Sequence, residues 1–173
     1  GITIQANLLP NPLVYLRRGQ PKLAIRAFYN ALATFCYEDV RTFCEHPVDF
    51  LGLGEGPFYK SADESAFIAW FRSLLICENG RDLELLPAVP LEWLADGNEI
   101  KIRDAATWFG PMNLHVACRG MRMDITLELP TRNAPREARL HLRRPGNVQQ
   151  VYVNGRAATA AELEAGVMML RQP

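Results

Sequence analysis

The sequence has no excess of charge of either sign, since its 173 residues include 19 lysines and arginines and 19 aspartates and glutamates. A chain with balanced charge lacks the basic surface that is typical of proteins binding nucleic acids or anionic membranes. It also lacks any apolar run approaching the ~18 residues of a membrane-spanning helix. We therefore expect neither nucleic acid nor a membrane among its partners.

Cysteine is scarce, and its spacing excludes the common metal-binding patterns. The four cysteines, Cys36, Cys44, Cys77 and Cys118, form no Cys-X-X-Cys pair and no Cys/His pair at metal-ligand spacing. We predict no metal site and no cofactor. Cys36 and Cys77 fall among apolar positions of predicted helices and Cys118 on an apolar strand face, which favours buried free thiols. A Cys36–Cys44 disulfide stays open as an alternative, and with it the redox compartment.

The composition is that of a folded domain, because 49% of the residues are hydrophobic and 22% are charged. The length suits one domain, or one small domain with an appendage. Because the first residue is Gly1 rather than Met, we expect a processed start or a residue left by a tag. We also expect the chain to be a piece of a larger protein.

Two helices are predicted in the first half of the chain. Pro21 suits a first helical position, and apolar residues at helical spacing predict a helix over 21–38. Ser61 and Glu64 have capping-box spacing and predict a second helix that ends near Asn79-Gly80. The apolar face predicted for this second helix consists of Phe67, Ile68, Phe71, Leu74 and Leu75. Two such helices form an αα-hairpin that cannot bury both apolar stripes alone.

From residue 82 the apolar period changes from about 3.6 residues to 2, which predicts short strands with one polar face. Asn154-Gly155 is a strong hairpin-turn signal. The predicted fold class is α+β: an N-terminal αα-hairpin over 1–81, followed over 82–173 by an antiparallel β-sandwich of six to seven strands.

Carboxylates near a glycine-rich loop are the weak catalytic candidates. The loop over 52–57 lacks a following Lys-Ser/Thr and a βαβ setting, so we interpret it as a flexible connection. Asp63 and Glu64 are explained by helix capping and the helix dipole, whereas Glu55 has no local structural explanation. Because glycoside hydrolysis needs two carboxyl groups across a sugar, Glu55 with Asp63 or Glu64 is a hypothetical pair.

Aromatic residues are the candidates for substrate binding. Trp93, Trp108 and Tyr152, with Phe109, form a possible stacking platform for sugar rings. Burial of both tryptophans against the helix-to-sheet junction is the favoured interpretation, because they neighbour Leu, Phe and Pro. His115 and His141 are predicted on outward strand faces, exposed to solvent and beside Asp124 or Glu128 across strands.

An ordered series of short motifs resembles a known superfamily. The series consists of Glu78-Asn79-Gly80 after a helix, Leu83, Leu85 to Pro90, Trp93-Leu94, Gly97, Ala105-Ala106-Thr107, Phe109-Gly110, Leu129-Pro130, and Val151 to Gly155. It is similar to the C-terminal end of six-hairpin glycosidase-like proteins, the (α/α)6-toroid superfamily that includes bacterial α-L-rhamnosidases. The resemblance covers about residues 21–156. It implies a last helical hairpin that closes a toroid, followed by a C-terminal β-sandwich.

The resemblance also sets the functional expectations. Most of a toroid is absent and the family's catalytic acids generally lie on earlier hairpins, so no catalytic residue is transferred and no hydrolysis by this chain alone is expected. The implied role is to brace the catalytic toroid of a bacterial glycoside hydrolase-like parent, with shaping of its cleft as a further role. The implied partners are the rest of that polypeptide, an oligosaccharide, and a second copy bound through exposed helix faces. Export of the parent is one option for localisation. The alternative function is a carbohydrate-binding module that uses Trp93, Trp108 and Tyr152.

Overall fold

The structure, a computed structural model, describes residues 11–37, 41–45 and 61–170. Helices come first and strands follow, which confirms the predicted α+β class. The chain divides into two compact units, Gly1–Leu74 and Leu75–Pro173. Among the described helices, none has the length and apolarity needed to cross a membrane.

The first unit is mainly helical. Its elements are α1 (Pro12–Arg17), α2 (Pro21–Phe35), β1 (Cys36–Tyr37), β2 (Thr42–Phe43) and α3, which begins at Ser61 and ends at Leu75. A proline occupies the start of both α1 and α2, where its missing N–H costs no hydrogen bond. The α2 helix therefore begins where the sequence predicted. It ends at Phe35 because the next two residues pair with β2 as a short strand.

Aromatic rings join the elements of this unit. The Phe28 ring of α2 stacks on Phe67 of α3 at a centroid distance of 4.6 Å, and Phe43 of β2 lies 4.4 Å from Phe67. The predicted apolar face of α3 is partly wrong: Ile68 and Phe71 are 66% and 41% exposed. The buried face is rotated to include Asp63, Trp70 and Leu74. Exposed apolar side chains also occur on α2, at Leu23 and Tyr29.

The predicted boundary at residues 81 and 82 is replaced by one between Leu74 and Leu75. The predicted second helix extends too far, because Ile76–Asn79 forms strand β3 rather than a last helical turn. It pairs antiparallel with β4 (Asp82–Leu85) across a tight turn at Gly80, whose φ is +62°. The two-residue turn is therefore Gly80-Arg81, and Asn79 pairs with Asp82 at the end of β3, although the Asn79-Gly80 dipeptide also suits the end of a helix.

The second unit is a sandwich of two sheets. Its remaining strands are β5 (Glu99–Thr107), β6 (Gly110–Arg119), β7 (Arg122–Glu128), β8 (Glu137–His141), β9 (Gln150–Val153), β10 (Arg156–Ala157) and β11 (Val167–Leu170). One sheet has five strands in the order β10-β9-β7-β6-β5, and the other has four in the order β11-β8-β4-β3. A 3₁₀ turn at Leu91–Leu94 links β4 to β5.

One apolar core lies between the two sheets. Alternate residues of β6, β7, β8 and β9 are buried, as the period of 2 predicts. The largest fully buried side chains in this core are Ile76, Leu83, Leu85, Leu94, Met112, Leu114, Met123, Ile125, Leu140 and Met168. Cys118 belongs to the same core as a buried free thiol. No disulfide joins Cys36 and Cys44.

Two details of the sandwich differ from the prediction. The sheets contain nine strands rather than six to seven, and each includes one parallel pair, β4 with β8 and β7 with β9. The chain leaves the four-stranded sheet after β4, builds β5 to β7 in the other sheet, and returns as β8 beside β4. Periodicity shows which residues face inward but not which strands become neighbours, so these pairs could not be predicted from it.

Two further elements follow the last hairpin. Asn154 and Gly155, both with positive φ, form the predicted two-residue turn between β9 and β10. Helix α4 (Ala160–Ala165) was not predicted. A capping box precedes it: Thr159 accepts from the Glu162 N–H, and the Glu162 carboxylate accepts from the Thr159 N–H. Hydrogen bonds from Arg156 and Thr159 lower the pKa of Glu162 to about 2.

The Asn154 side chain is expected to stabilise the sandwich beyond its turn conformation. Its amide accepts from the Leu127 N–H at 2.8 Å and donates to the Leu127 carbonyl at 2.9 Å. Asn154→Ala removes both bonds and leaves an alanine at a φ of 48°, so we expect a loss of about 2–3 kcal/mol in the free energy of unfolding. Asn154→Gly should lose less, because glycine adopts this φ without strain. Urea unfolding followed by circular dichroism measures the free energy of unfolding of both variants. An equal decrease in the two variants would contradict the role of backbone strain.

Candidate functional site

The described structure includes only part of the proposed set of catalytic carboxylates. Glu55, the glycine loop over 52–57 and His46 lie outside the described residues. Asp63 and Glu64 occupy the first turn of α3, as the helix-dipole interpretation predicts. The hypothesis of Glu55 acting with Asp63 or Glu64 therefore stays a prediction.

Trp108 is exposed, and its predicted burial is wrong. It lies in the turn between β5 and β6 with 68% of its surface accessible. The next residue, Phe109, turns inward and joins the core, so the hairpin buries one ring and presents the other to solvent. The Thr107 hydroxyl orders this turn by donating to the Gly110 carbonyl at 2.6 Å and accepting from the Phe109 N–H.

Trp93 lies at the other end of the same strand and is partly buried against the sandwich core. Its 3₁₀ turn is held to the start of β5 by the Asn98 side chain, which donates to the Glu92 carbonyl at 3.0 Å. The nine residues of β5 separate the two tryptophans, a span of about 30 Å at ~3.3 Å per residue. Trp93 and Trp108 therefore cannot stack on one small sugar.

Tyr152 is engaged with its own sheet. The Arg122 guanidinium lies 4.0 Å from the centroid of its ring, a cation–π contact. Asp124, the cross-strand neighbour of Tyr152, accepts two hydrogen bonds from the same guanidinium at 2.7 and 2.6 Å. One face of the tyrosine ring is therefore covered. The three aromatic candidates occupy three separate places and do not form a common platform.

A polar groove of about 320 Å³ lies on the outer face of the five-stranded sheet. Its polar walls come from β5, β6 and β7, and include Lys101, Arg103, Asn113, His115, Thr126 and Glu128. A bulge shapes it: the register between β5 and β6 shifts after Ile102, and Asp104 has a φ of 49°. Asn113 holds the bulge by accepting from the Asp104 N–H at 2.8 Å, and it donates to Glu128 at 2.6 Å.

Lys101 and His115 of this groove have a charged partner in Glu99. Glu99 accepts a hydrogen bond from Lys101, and this bond lowers the pKa of the Glu99 carboxyl group. The Glu99 carboxylate also lies 3.5 Å from His115 Nε2. The predicted outward position of His115 is confirmed, but Glu99 of β5 is its partner rather than Asp124 or Glu128. A carboxylate with a lowered pKa is ionised at neutral pH and unsuited to act as a general acid.

The densest charge cluster lies on the outer face of the four-stranded sheet. Glu84 of β4 binds Arg139 and His141 of β8, each at 2.7 Å. Asp82 accepts two hydrogen bonds from Arg136 at 2.9 and 2.6 Å. These partners are more than fifty residues apart in sequence, so the cluster links two strands that no local turn brings together.

The ionisation of the cluster follows from its geometry. Burial raises the pKa of Glu84, but hydrogen bonds from His141 and Arg139 outweigh it, so the net pKa lies below the ordinary value of 4.5. Hydrogen bonds from Arg136 likewise lower the pKa of Asp82. Sequence reasoning missed this cluster. The alternating charges of the two strands were visible, but their pairing depends on the parallel register of β4 and β8.

The Glu84 cluster should make stability depend on pH. Because the folded-state pKa is below 4.5, the stabilisation is present above that pH and is lost as the pH falls through the folded-state value. Glu84→Gln should lower the free energy of unfolding at pH 7 by about 1–3 kcal/mol and flatten its decrease below pH 4.5. Glu164→Gln on the exposed side of α4 is the matched control. Equal pH profiles of the two variants would contradict this role.

The described residues hold no group of three or more His, Cys, Asp and Glu side chains arranged as metal ligands. Comparisons with models of protein families, with curated proteins and with solved structures found no match. The relationship to six-hairpin glycosidase-like proteins therefore stays a prediction.

Proposed function

We propose that this chain is the non-catalytic C-terminal region of a glycoside hydrolase-like protein, in which the helices complete an α/α toroid and the sandwich braces it. The observation that carries the proposal is the set of large apolar side chains left exposed on the helices. On α3 these are Ile68 and Phe71, and on α2 they are Leu23 and Tyr29. Helices packed in a toroid bury such residues against neighbouring hairpins of the same polypeptide.

The charges of the sandwich favour a bracing role over catalysis. The carboxylates of Asp82, Glu84 and Glu99 bind basic side chains, and the pKa of each is lowered. Such groups hold strands together as permanent acceptors and do not exchange protons near neutral pH. In this proposal the catalytic acids belong to other hairpins of the parent protein.

Self-association tests the proposed helix surface. Isolated from its parent, the chain should dimerise through α2 and α3, because exposed apolar surface is removed from water. The double variant Ile68→Ser/Phe71→Ser should weaken this association by at least about tenfold, since a buried large apolar side chain contributes about 1.5–3 kcal/mol. Light scattering across a concentration series measures the effect. The control is Met169→Ser, an exposed apolar residue of β11. The proposal would be contradicted if the unmodified chain is strictly monomeric, or if Met169→Ser weakens the association as much as the double variant does.

Carbohydrate binding is a second candidate function, favoured by Trp108. An exposed indole at a hairpin tip presents a flat apolar face, and the polar groove is built by the same two strands, β5 and β6. Planar aromatic side chains with a polar surround are suited to bind sugar rings. This site would use Trp108 without Trp93 or Tyr152.

A titration with rhamnosides, arabinosides, xylans and pectic fragments separates the two functions. If the second function applies, a saturable change in tryptophan fluorescence should disappear in Trp108→Ala and persist in Trp93→Phe. Circular dichroism should show that Trp108→Ala stays folded, because an exposed side chain contributes little to stability. Absence of any saturable response would remove carbohydrate binding and leave the bracing role.

A further inference from the structure

A second cavity, a cleft of about 610 Å³, lies at one end of the sandwich. Its wall is formed by the segment that connects β8 to β9, together with α4 and the residue that follows this helix. Its apolar side comes from the partly buried Leu163, since Leu142 and Val148 are buried in the sandwich core, and Arg143 and Arg144 supply its charge. Its volume is within the ~300–1,000 Å³ range of small-ligand sites.

Main-chain carbonyls hold both arginines in place. Arg144 donates from Nε to the Val148 carbonyl at 3.2 Å and from Nη1 to the Leu163 carbonyl at 3.1 Å. Arg143 donates from Nε to the Val89 carbonyl at 2.9 Å. These bonds use two N–H groups of Arg144 and one of Arg143, so each guanidinium keeps further N–H groups that can donate to a ligand.

The two arginines differ from others in the sandwich in what they bind. Arg122, Arg136 and Arg156 each donate to a carboxylate. Within the described part of the chain, Arg143 and Arg144 bind carbonyl oxygens and form no ion pair. Burial lowers the pKa of Arg143, and the charge of Glu92 opposes this only in part.

A half-buried positive charge without an ion-paired carboxylate is costly in a folded protein. Two arginines that line the same cleft without an ion-paired carboxylate therefore favour an anion as its ligand. The planar fork of arginine matches the two oxygens of a carboxylate or phosphate. The apolar side of the cleft suits a ligand with a carbon skeleton beside its charged group.

We propose that Arg143 and Arg144 form a binding site for a small oxyanion-bearing molecule, a sugar acid or a sugar phosphate. The charged group binds the free N–H donors of the two guanidinium groups. The sugar ring packs against Leu163. The site lies apart from the groove between β5 and β7 and from Trp108.

Nuclear magnetic resonance of the full chain tests this site directly. The probes are glucuronate, glucose 6-phosphate and inorganic phosphate, with glucose as the neutral control, all at matched ionic strength. The reporters are the Gly146 and Gly166 amides and the Arg143 and Arg144 Nε–H groups, which line the cleft. We expect saturable shifts with at least one anionic probe and none with glucose. A response to glucuronate alone assigns a carboxylate ligand, and a response to phosphate probes alone assigns a phosphate ligand.

A matched pair of variants assigns the contact. Arg144→Lys keeps the charge but loses the planar fork, so it should weaken binding by about tenfold, the loss of roughly one charge-assisted hydrogen bond. Arg103 is an exposed arginine of β5. Arg103→Lys should therefore bind the anionic probes as tightly as the unmodified chain does. Two results for the unmodified chain would overturn the proposal: chemical shifts that change linearly with the concentration of every salt, or no chemical-shift change at the four reporters. Neither result depends on whether Arg144→Lys folds.

Discussion

Burial of one face of each sheet in a shared apolar core is the constraint on which the rest of the sandwich depends. Leu83 and Leu85 of β4 and Leu140 of β8 are completely buried, and they meet Leu114 and Ile125 from the other sheet in one cluster. Because side chains alternate along a strand, this burial sends every second residue outward. The outer faces must therefore carry the polar groups, and the charge clusters, the groove and the covered Tyr152 ring are consequences of that requirement.

The parallel pairing of β4 with β8 needs more than apolar burial. Pairing strands that are distant in sequence costs loop-closure entropy before any contact forms. The ion pairs of Asp82 with Arg136 and of Glu84 with Arg139 join these two strands directly. A shift of the parallel register by one residue would separate the charges and expose the buried leucines. The outer-face cluster therefore specifies the register as well as stabilising it.

The two units of the chain handle apolar surface differently. In the sandwich, the large side chains of the inner faces are covered by the opposing sheet. In the helical unit, Phe28 and Phe67 pack together while Ile68 and Phe71 stay exposed. An α-helix with two apolar stripes needs partners on two sides, whereas a sheet with one apolar face needs a single partner. This difference is the physical basis for proposing that the helices belong to a larger helical assembly.

The sequence by itself determined the α+β class, the start of α2, most strands of the sandwich and the Asn154-Gly155 turn. These features depend on local periodicity and turn chemistry, which act over a few residues. Tertiary structure decided which strands are neighbours, that Ile76–Asn79 is a strand, and that Trp108 is exposed while Phe109 is buried. It also decided the partners of Glu84 and the carbonyl anchoring of Arg143 and Arg144. Side chains far apart in sequence meet only when distant strands pair within a sheet or the two sheets pack together, so no local pattern could specify those contacts.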